Sequence, residues 1–163
     1  MQTLLPLAEE AGRLLKARGE TIGIAESSSG GLISAALLSI GGASAYFRGG
    51  SVIYTAQARQ GLLDIPNPLP APIERASTEL YATLLADTVR GRLDAVWGIG
   101  ETGATGPTGN RYGDAAGHCC IAVTGPVSKV VTIETGSDDR VANMRAFGEA
   151  ALALLVEALR DAG

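Results

Sequence analysis

Residues 21–38 change character twice within eighteen positions: Thr21-Ile22-Gly23-Ile24-Ala25 is short and apolar, Glu26-Ser27-Ser28-Ser29-Gly30-Gly31 is a small polar turn, and Leu32 to Leu38 is apolar again. The order reads as strand, sharp turn, helix. A hydroxyl of Ser27, Ser28 or Ser29 suits an N-cap, because it accepts from free N–H groups of the first helical turn. Gly30 and Gly31 let the backbone turn tightly and approach a ligand closely. A helix N-terminus carries partial positive charge and unpaired donors. The stretch therefore sets a serine hydroxyl beside a place for an anion or oxyanion, the arrangement of a nucleophile elbow. An ordinary, well-capped βα turn accounts for the same residues, and both readings stay open at this point.

The remaining elements follow from spacing. Leu4, Leu7, Ala8, Ala11, Leu14 and Leu15 predict a helix over 4–18, with Pro6 in its first turn and Gly19 as its stop. The second helix is expected from Gly30 to Ile40, ending at Gly41-Gly42. Ser51–Thr55 reads as a strand, Ala56–Leu63 as a short helix, and Asn67-Pro68-Leu69-Pro70-Ala71-Pro72 as an extended surface loop. Ser77 is placed to cap a third long helix, and Asp94–Gly100 reads as a strand. A glycine- and threonine-rich loop follows, Gly100-Glu101-Thr102-Gly103-Ala104-Thr105-Gly106-Pro107-Thr108-Gly109-Asn110. It has no Walker lysine and so is no P-loop, but loops after strands are where open α/β sheets bind ligands. Gly117–Val123 and Lys129–Thr135 predict an antiparallel hairpin turning at Gly125-Pro126. Ser137-Asp138-Asp139 caps a last helix reaching about Leu159. The order α-β-α-β-α-β-β-β-α predicts a layered α/β domain with a mixed sheet, spanning residues 1–163 as one domain.

Composition excludes several classes. With 46% hydrophobic and 18% charged residues the chain has the means to build a core. A net charge of −4 argues against non-specific nucleic-acid binding, and no apolar run approaches the length of a membrane span. Leu4-Leu5 lacks the basic flank and cleavage pattern of a signal peptide. Cys119 and Cys120 are adjacent, so on a strand they point to opposite faces and do not pair with each other. A reduced, cytoplasmic protein is the expectation.

The supply of catalytic side chains is narrow. His118 is the one histidine, in an apolar strand beside both cysteines, and is expected to make a local hydrogen bond rather than serve a triad or a metal. Lysine occurs only at Lys16 and Lys129, both expected on solvated faces, so a Ser–Lys dyad has no obvious partner. That leaves Tyr54 to position a proton, and Glu26 or Glu101 as carboxylates near the serine turn. Arg59, Arg140 and Arg145 suit phosphate recognition, since guanidinium pairs with phosphate through paired bonds.

At these positions the sequence resembles a known family, the CinA C-terminal domain, whose members include nicotinamide mononucleotide deamidases. Ala25-Glu26-Ser27-Ser28-Ser29-Gly30-Gly31 resembles its A-E-S-C-T-G-G motif. Phe47-Arg48-Gly49-Gly50-Ser51-Val52-Ile53-Tyr54 resembles its F-x-R-G-x-V-x-Y segment, with the arginine one place early. Gly103 to Gly109 is similar to its G-I-A-G-P-x-G loop, and Gly136 to Arg140 to the G-D-R stretch before its last helix. The resemblance implies a three-layer α/β/α domain with a mixed central sheet, often dimeric. It implies hydrolysis of a carboxamide to acid and ammonia, with no metal and no cofactor. Ser27 matches the nucleophile, Tyr54 the supporting tyrosine, Thr102 the hydroxyl residue before the glycine loop, and Arg145, within one position, the arginine of the last helix.

Two departures stand out. The family's lysine falls on Arg59, which stays protonated and cannot accept a proton. The usual loop after G-P-x-G is replaced by Asn110-Arg111-Tyr112-Gly113-Asp114-Ala115-Ala116, while Glu101 stands where a small or apolar residue is usual. The expected catalytic set is thus Ser27, Tyr54, Arg59 and Glu101. The expected substrate-binding set is Ser29, Gly30, Gly31, Thr102, Gly103, Thr105, Gly106, Arg140 and Arg145, with the Gly30 and Gly31 N–H groups holding the oxyanion. The partner is a small-molecule nucleotide rather than nucleic acid or membrane, and the chain is expected to form a homo-oligomer. An amidohydrolase and a non-catalytic nucleotide-binding relative both fit, and Arg59 separates them.

Overall fold

A computed structural model describes all 163 residues. The elements in order are α1 (Leu5–Arg18), β1 (Ile22–Glu26), α2 (Leu32–Leu38), β2 (Phe47–Val52), α3 (Ala56–Leu63), α4 (Glu79–Arg92), β3 (Trp97–Ala104), β4 (His118–Thr124), β5 (Lys129–Glu134) and α5 (Arg140–Asp161). The strands form one sheet in the order β2-β1-β3-β4-β5. β1 runs parallel to β2 and β3, and β4 runs antiparallel to β3 and β5, so the sheet is mixed.

The pleat sorts the side chains into two layers. Ile22 and Ile24 of β1, Trp97 and Ile99 of β3, and Cys119, Ile121 and Val123 of β4 pack against α1, α2 and α5 in the main core. On the other face Ala25 meets Tyr81, Leu85 and Val89 of α4, while Cys120 and Ala122 meet Ala82 and Ala86. Cys119 and Cys120 therefore lie on opposite faces, as the period of two requires. The central strands are buried on both sides, which explains their unbroken apolar runs. No helix is long and apolar enough to cross a membrane.

Helix ends show where local sequence decided the fold. α1 has its proline at the start and stops at Gly19, whose φ of 63° is left-handed and whose N–H returns to the Leu15 and Lys16 carbonyls. α5 starts behind Asp139, whose carboxyl accepts from the Ala142 N–H. The third long helix is capped one residue later than expected, by Thr78, whose hydroxyl accepts from Tyr81 N at 3.2 Å. Ser77 takes a left-handed φ of 57° instead, and its N–H donates to Thr102 Oγ1.

Three further expectations are corrected. No serine caps α2, whose N-cap is Gly31; the donors of its first turn go to the Glu26 carboxyl, and the helix ends at Leu38. The second strand is Phe47–Val52, so Tyr54 lies beyond it at the start of the turn into α3. The third strand runs to Ala104, so the first half of the expected glycine loop is strand. Pairing Glu101 with Ile121, Thr102 with Cys120 and Gly103 with Cys119 holds these polar and small residues in the ladder. Here sheet partners override weak local β preference.

Candidate active site

The register puts Ala25 beside Gly100, so Glu26, the last residue of β1, and Glu101, midway along β3, follow side by side on two adjacent parallel strands. Both carboxyls are fully buried beneath the serine turn. Glu101 Oε2 accepts from Ser27 N at 2.9 Å, Ser29 N at 2.9 Å and Ser29 Oγ at 2.7 Å, while Oε1 accepts from Ser28 Oγ and Cys119 Sγ. Glu26 accepts from the N–H groups of Gly31, Ile33 and Ser34 and from the Ser34 hydroxyl. Ser29 Oγ lies 2.7 Å from Glu26 Oε2 as well, bridging the two carboxyls. The two glutamates thus act as an internal scaffold that satisfies the buried and half-buried donors of a tight turn.

This scaffold sorts the three serines. The Ser28 and Ser29 hydroxyls are spent on the carboxyls, whereas Ser27 lines a cavity of about 340 Å³. It also sorts the amides. Ser27 and Ser29 N–H go to Glu101, Gly30 N–H to the Ser27 carbonyl at 3.1 Å, and Gly31 N–H to Glu26 at 3.0 Å. The Gly30 and Gly31 donors expected to meet an oxyanion are therefore already committed inside the turn. Of the amides from 27 to 34, that of Ser28 alone has no acceptor in the chain. Gly30 and Gly31 hold φ of 67° and 98°, which a side chain would strain.

The cavity opens at the carboxyl ends of β1, β2 and β3. Ser27, Tyr54, Arg59, Thr102 and Gly103 all line it. So do Ser77, Tyr81, Asn110, Arg111 and Tyr112, which sequence reasoning did not place there. The signal available for Arg111 and Tyr112 was their departure from the family's loop; Ser77 and Tyr81 gave none beyond a cap and a helical stripe. Arg140 stands at the rim, donating to the Gly106 carbonyl at 2.7 Å and to the Tyr54 hydroxyl at 3.2 Å. Thr105 and Gly106 do not line the cavity. Buried Asn143, also missed from sequence, ties the Thr105 carbonyl to that of Ser137 at 2.9 and 2.8 Å. Ser29 is buried under the turn, and Arg145 lies in a separate hollow with Met1, Gln2 and Thr3.

The 110–114 loop is pinned from outside. Asp114 accepts from Arg75 at 2.6 Å and from Asn110 Nδ2 at 2.8 Å. The Arg75 and Arg111 guanidinium groups stand 5.3 and 5.1 Å from the Tyr112 ring centre, close enough for cation–π attraction. The Arg75 guanidinium lowers the Asp114 carboxyl below its ordinary value.

His118 supports the same wall. Its Nδ1 faces the Glu134 carboxyl, its Nε2 faces the Ser77 carbonyl at 3.1 Å, and Asp114 lies 4.0 Å away. Cys120 Sγ, 3.5 Å from Nε2, completes the surroundings. Burial pulls the imidazole down, but Glu134, Ser77 and Asp114 outweigh it and leave it above the ordinary 6.5. With two acceptors, both ring nitrogens are satisfied only in the protonated ring. A raised folded value means this stabilisation is complete below about pH 6.5 and fades as pH rises through the folded value. The melting temperature of the wild type should therefore fall relative to His118→Gln as pH rises above about 6.5. Parallel curves for the two proteins would refute this role.

Comparison with known proteins agrees with the geometry. The family model described as CinA C-terminal domain matches residues 4–159. The CinA-like protein of Anaeromyxobacter dehalogenans is 38% identical over 148 residues, covering 90% of this chain and 36% of that protein. The CinA-like protein of Trichormus variabilis is 35% identical over 128 residues, covering 78% and 30%. The chain thus spans about a third of the length of these curated relatives. Among solved structures, the competence damage-inducible protein A of Klebsiella pneumoniae superimposes with a TM-score of 0.88 at 25% identity, covering 96% of this chain and 97% of that one. The competence/damage inducible protein CihA of Agrobacterium tumefaciens gives 0.84 at 26%, covering 97% and 96%.

Proposed function

The chain belongs to the CinA C-terminal domain family, and on that premise we propose that it is an amidohydrolase of the nicotinamide mononucleotide deamidase kind. Ser27 is the attacking hydroxyl. The observation that carries this reading is the division of labour in the serine turn: Ser28 and Ser29 are fastened to buried carboxyls, and Ser27 is the serine in the cavity wall.

Ser27 Oγ attacks the carboxamide carbon, the carbonyl π electrons move to oxygen, and the tetrahedral intermediate collapses with loss of ammonia. Water then cleaves the acyl-serine and releases the acid. The amide after the serine, that of Ser28, is the donor for the oxyanion, the position used in nucleophile elbows. One such donor contributes about 3–4 kcal/mol to the transition state. Glu101 is a positioning residue: its bonds to the N–H groups of Ser27 and Ser29 fix the turn on either side of the Ser28 amide. Tyr54, held by Arg140 and lining the same cavity, carries the serine proton toward the leaving ammonia. Arg140 and Arg111 stand where a nucleotide phosphate can be received.

Arg59 cannot serve as the base, because a guanidinium stays protonated. Ammonia release from nicotinamide mononucleotide should therefore be slow in the wild type and rise at least about tenfold in Arg59→Lys, in line with the usual contribution of a positioned general base. A rate unchanged or lowered by that substitution would contradict the assignment. The second reading, a nucleotide-binding relative without turnover, is favoured by this same residue. It predicts thermal stabilisation by the mononucleotide with no ammonia from either protein.

A further inference from the structure

Arg59 is the most buried charged side chain in the cavity wall, at 6% exposure. The part-buried Arg18 and Arg75 meet carboxylates, Arg18 pairing with Glu20 and Arg75 with Asp114. Arg59 meets only neutral groups. Its Nη2 donates to the Pro66 carbonyl and to Asn67 Oδ1, both at 3.1 Å, and its Nε is buried without any partner. The charged residues lining the cavity are Arg59 and Arg111, with no aspartate or glutamate among them. A permanent charge out of water and without a counter-charge is costly. A fold retains one where a ligand supplies the missing anion.

We propose that the Arg59 wall of the cavity is a receptor for an anionic group of the ligand, and specifically for a planar carboxylate. With Nη2 committed to Pro66 and Asn67, Nη1 is the donor left open, and it meets a carboxylate through a charge-assisted hydrogen bond. The guanidinium lies over the Tyr81 ring, 6.0 Å from its centre, beside Ile53 and Ala76. The Tyr81 ring and the Ile53 and Ala76 side chains give an aromatic acid apolar surface within an otherwise polar lining, whereas a hydrated phosphate is better served by Arg140 at the rim. The inference rests on the proposed reading of this cavity as the ligand site, but not on Ser27 being the nucleophile. A carboxamide and its acid have nearly the same shape and differ in charge, so the consequence is a preference for the acid. The chain holds the deamidated mononucleotide more tightly than the amide.

Calorimetric titration of the full chain with nicotinate mononucleotide, nicotinamide mononucleotide and ribose 5-phosphate tests this. The acid should bind the wild type at least about tenfold more tightly than the amide, a gap of about 1.4 kcal/mol. In Arg59→Met the acid and the amide should bind within about twofold of each other. Should that variant fail to fold, the wild-type Nε–H resonance of Arg59 still reports, shifting on addition of the acid and not of the amide. Equal affinities in the wild type, or a preference that survives in Arg59→Met, would overturn the carboxylate receptor while leaving the proposed function in place. Ribose 5-phosphate binding that depends on Arg59 would assign the anion site to phosphate and overturn the carboxylate. Silence from every ligand would contradict both the receptor and the reading of the cavity on which it rests.

Discussion

Glu101→Ala should cost about 3–5 kcal/mol of stability, read as a lowered urea midpoint, because it strands several buried donors at once. The carboxyl accepts from Ser27 N, Ser29 N, Ser28 Oγ, Ser29 Oγ and Cys119 Sγ, and it is wholly shielded from solvent. Ser29 Oγ can fall back on Glu26, and a serine hydroxyl can rotate, but the two backbone amides have no other acceptor in the chain, and that of Ser29 is buried. Each buried donor left without an acceptor costs about 1–3 kcal/mol. Glu101→Gln keeps the shape but replaces one acceptor with an NH2 group that faces donors, so it should fall between alanine and the wild type. The Cys119 thiol, held up by burial and by the neighbouring Glu101 carboxyl, should become easier to ionise in both variants. A stability loss below about 1 kcal/mol for Glu101→Ala would show that the carboxyl is not the scaffold of the turn.

Gly100→Ala should be comparably severe for a steric reason. A Cβ on Gly100 would stand 1.9 Å from the Ala82 carbonyl oxygen and 2.7 Å from Ala86 N, both backbone atoms of α4. Backbone of a packed helix cannot swing aside as a side-chain tip can, so α4 must lift from the sheet. Overpacking of this kind costs about 1–3 kcal/mol or more, and the small residues Ala82, Ala86 and Cys120 leave little slack nearby. Because α4 begins directly after Ser77 and Thr78, beside Thr102 and the cavity, ligand binding should weaken with it. Gly61→Ala is the matched control. It lies within α3 with nothing inside 4 Å of the added carbon, and should stabilise by about 0.5–1 kcal/mol through helix preference. Equal effects from the two substitutions would contradict the close α4–β3 packing.

The elements readable from the chain alone were those whose pattern and ends agree. Helical spacing with Pro6 in front and Gly19 behind defined α1, and strand-like runs on either side of Gly125-Pro126 defined the β4–β5 hairpin. What stayed hidden depended on neighbours distant in sequence. Residues 101–104 have loop composition, yet pairing with β4 makes them strand. The serines look like caps, but two carboxyls brought together by strand register take the donors of α2 and of the turn. Arg145 shares α5 with Arg140, yet the five-residue interval carries it to the separate hollow beside the N-terminus. Ser77, Tyr81 and the Asn110–Tyr112 loop reach the cavity through helix docking and the Arg75–Asp114 pair, which no local pattern records.

The most direct measurement of the central claim is ammonia release from nicotinamide mononucleotide by the wild type and by Ser27→Ala, with Ser28→Ala as a folded comparison. Slow release by the wild type that drops at least about 10³-fold in Ser27→Ala is the result expected for a serine nucleophile. Release unchanged in Ser27→Ala, or none from the wild type under conditions where the mononucleotide binds, would contradict Ser27 as the attacking group.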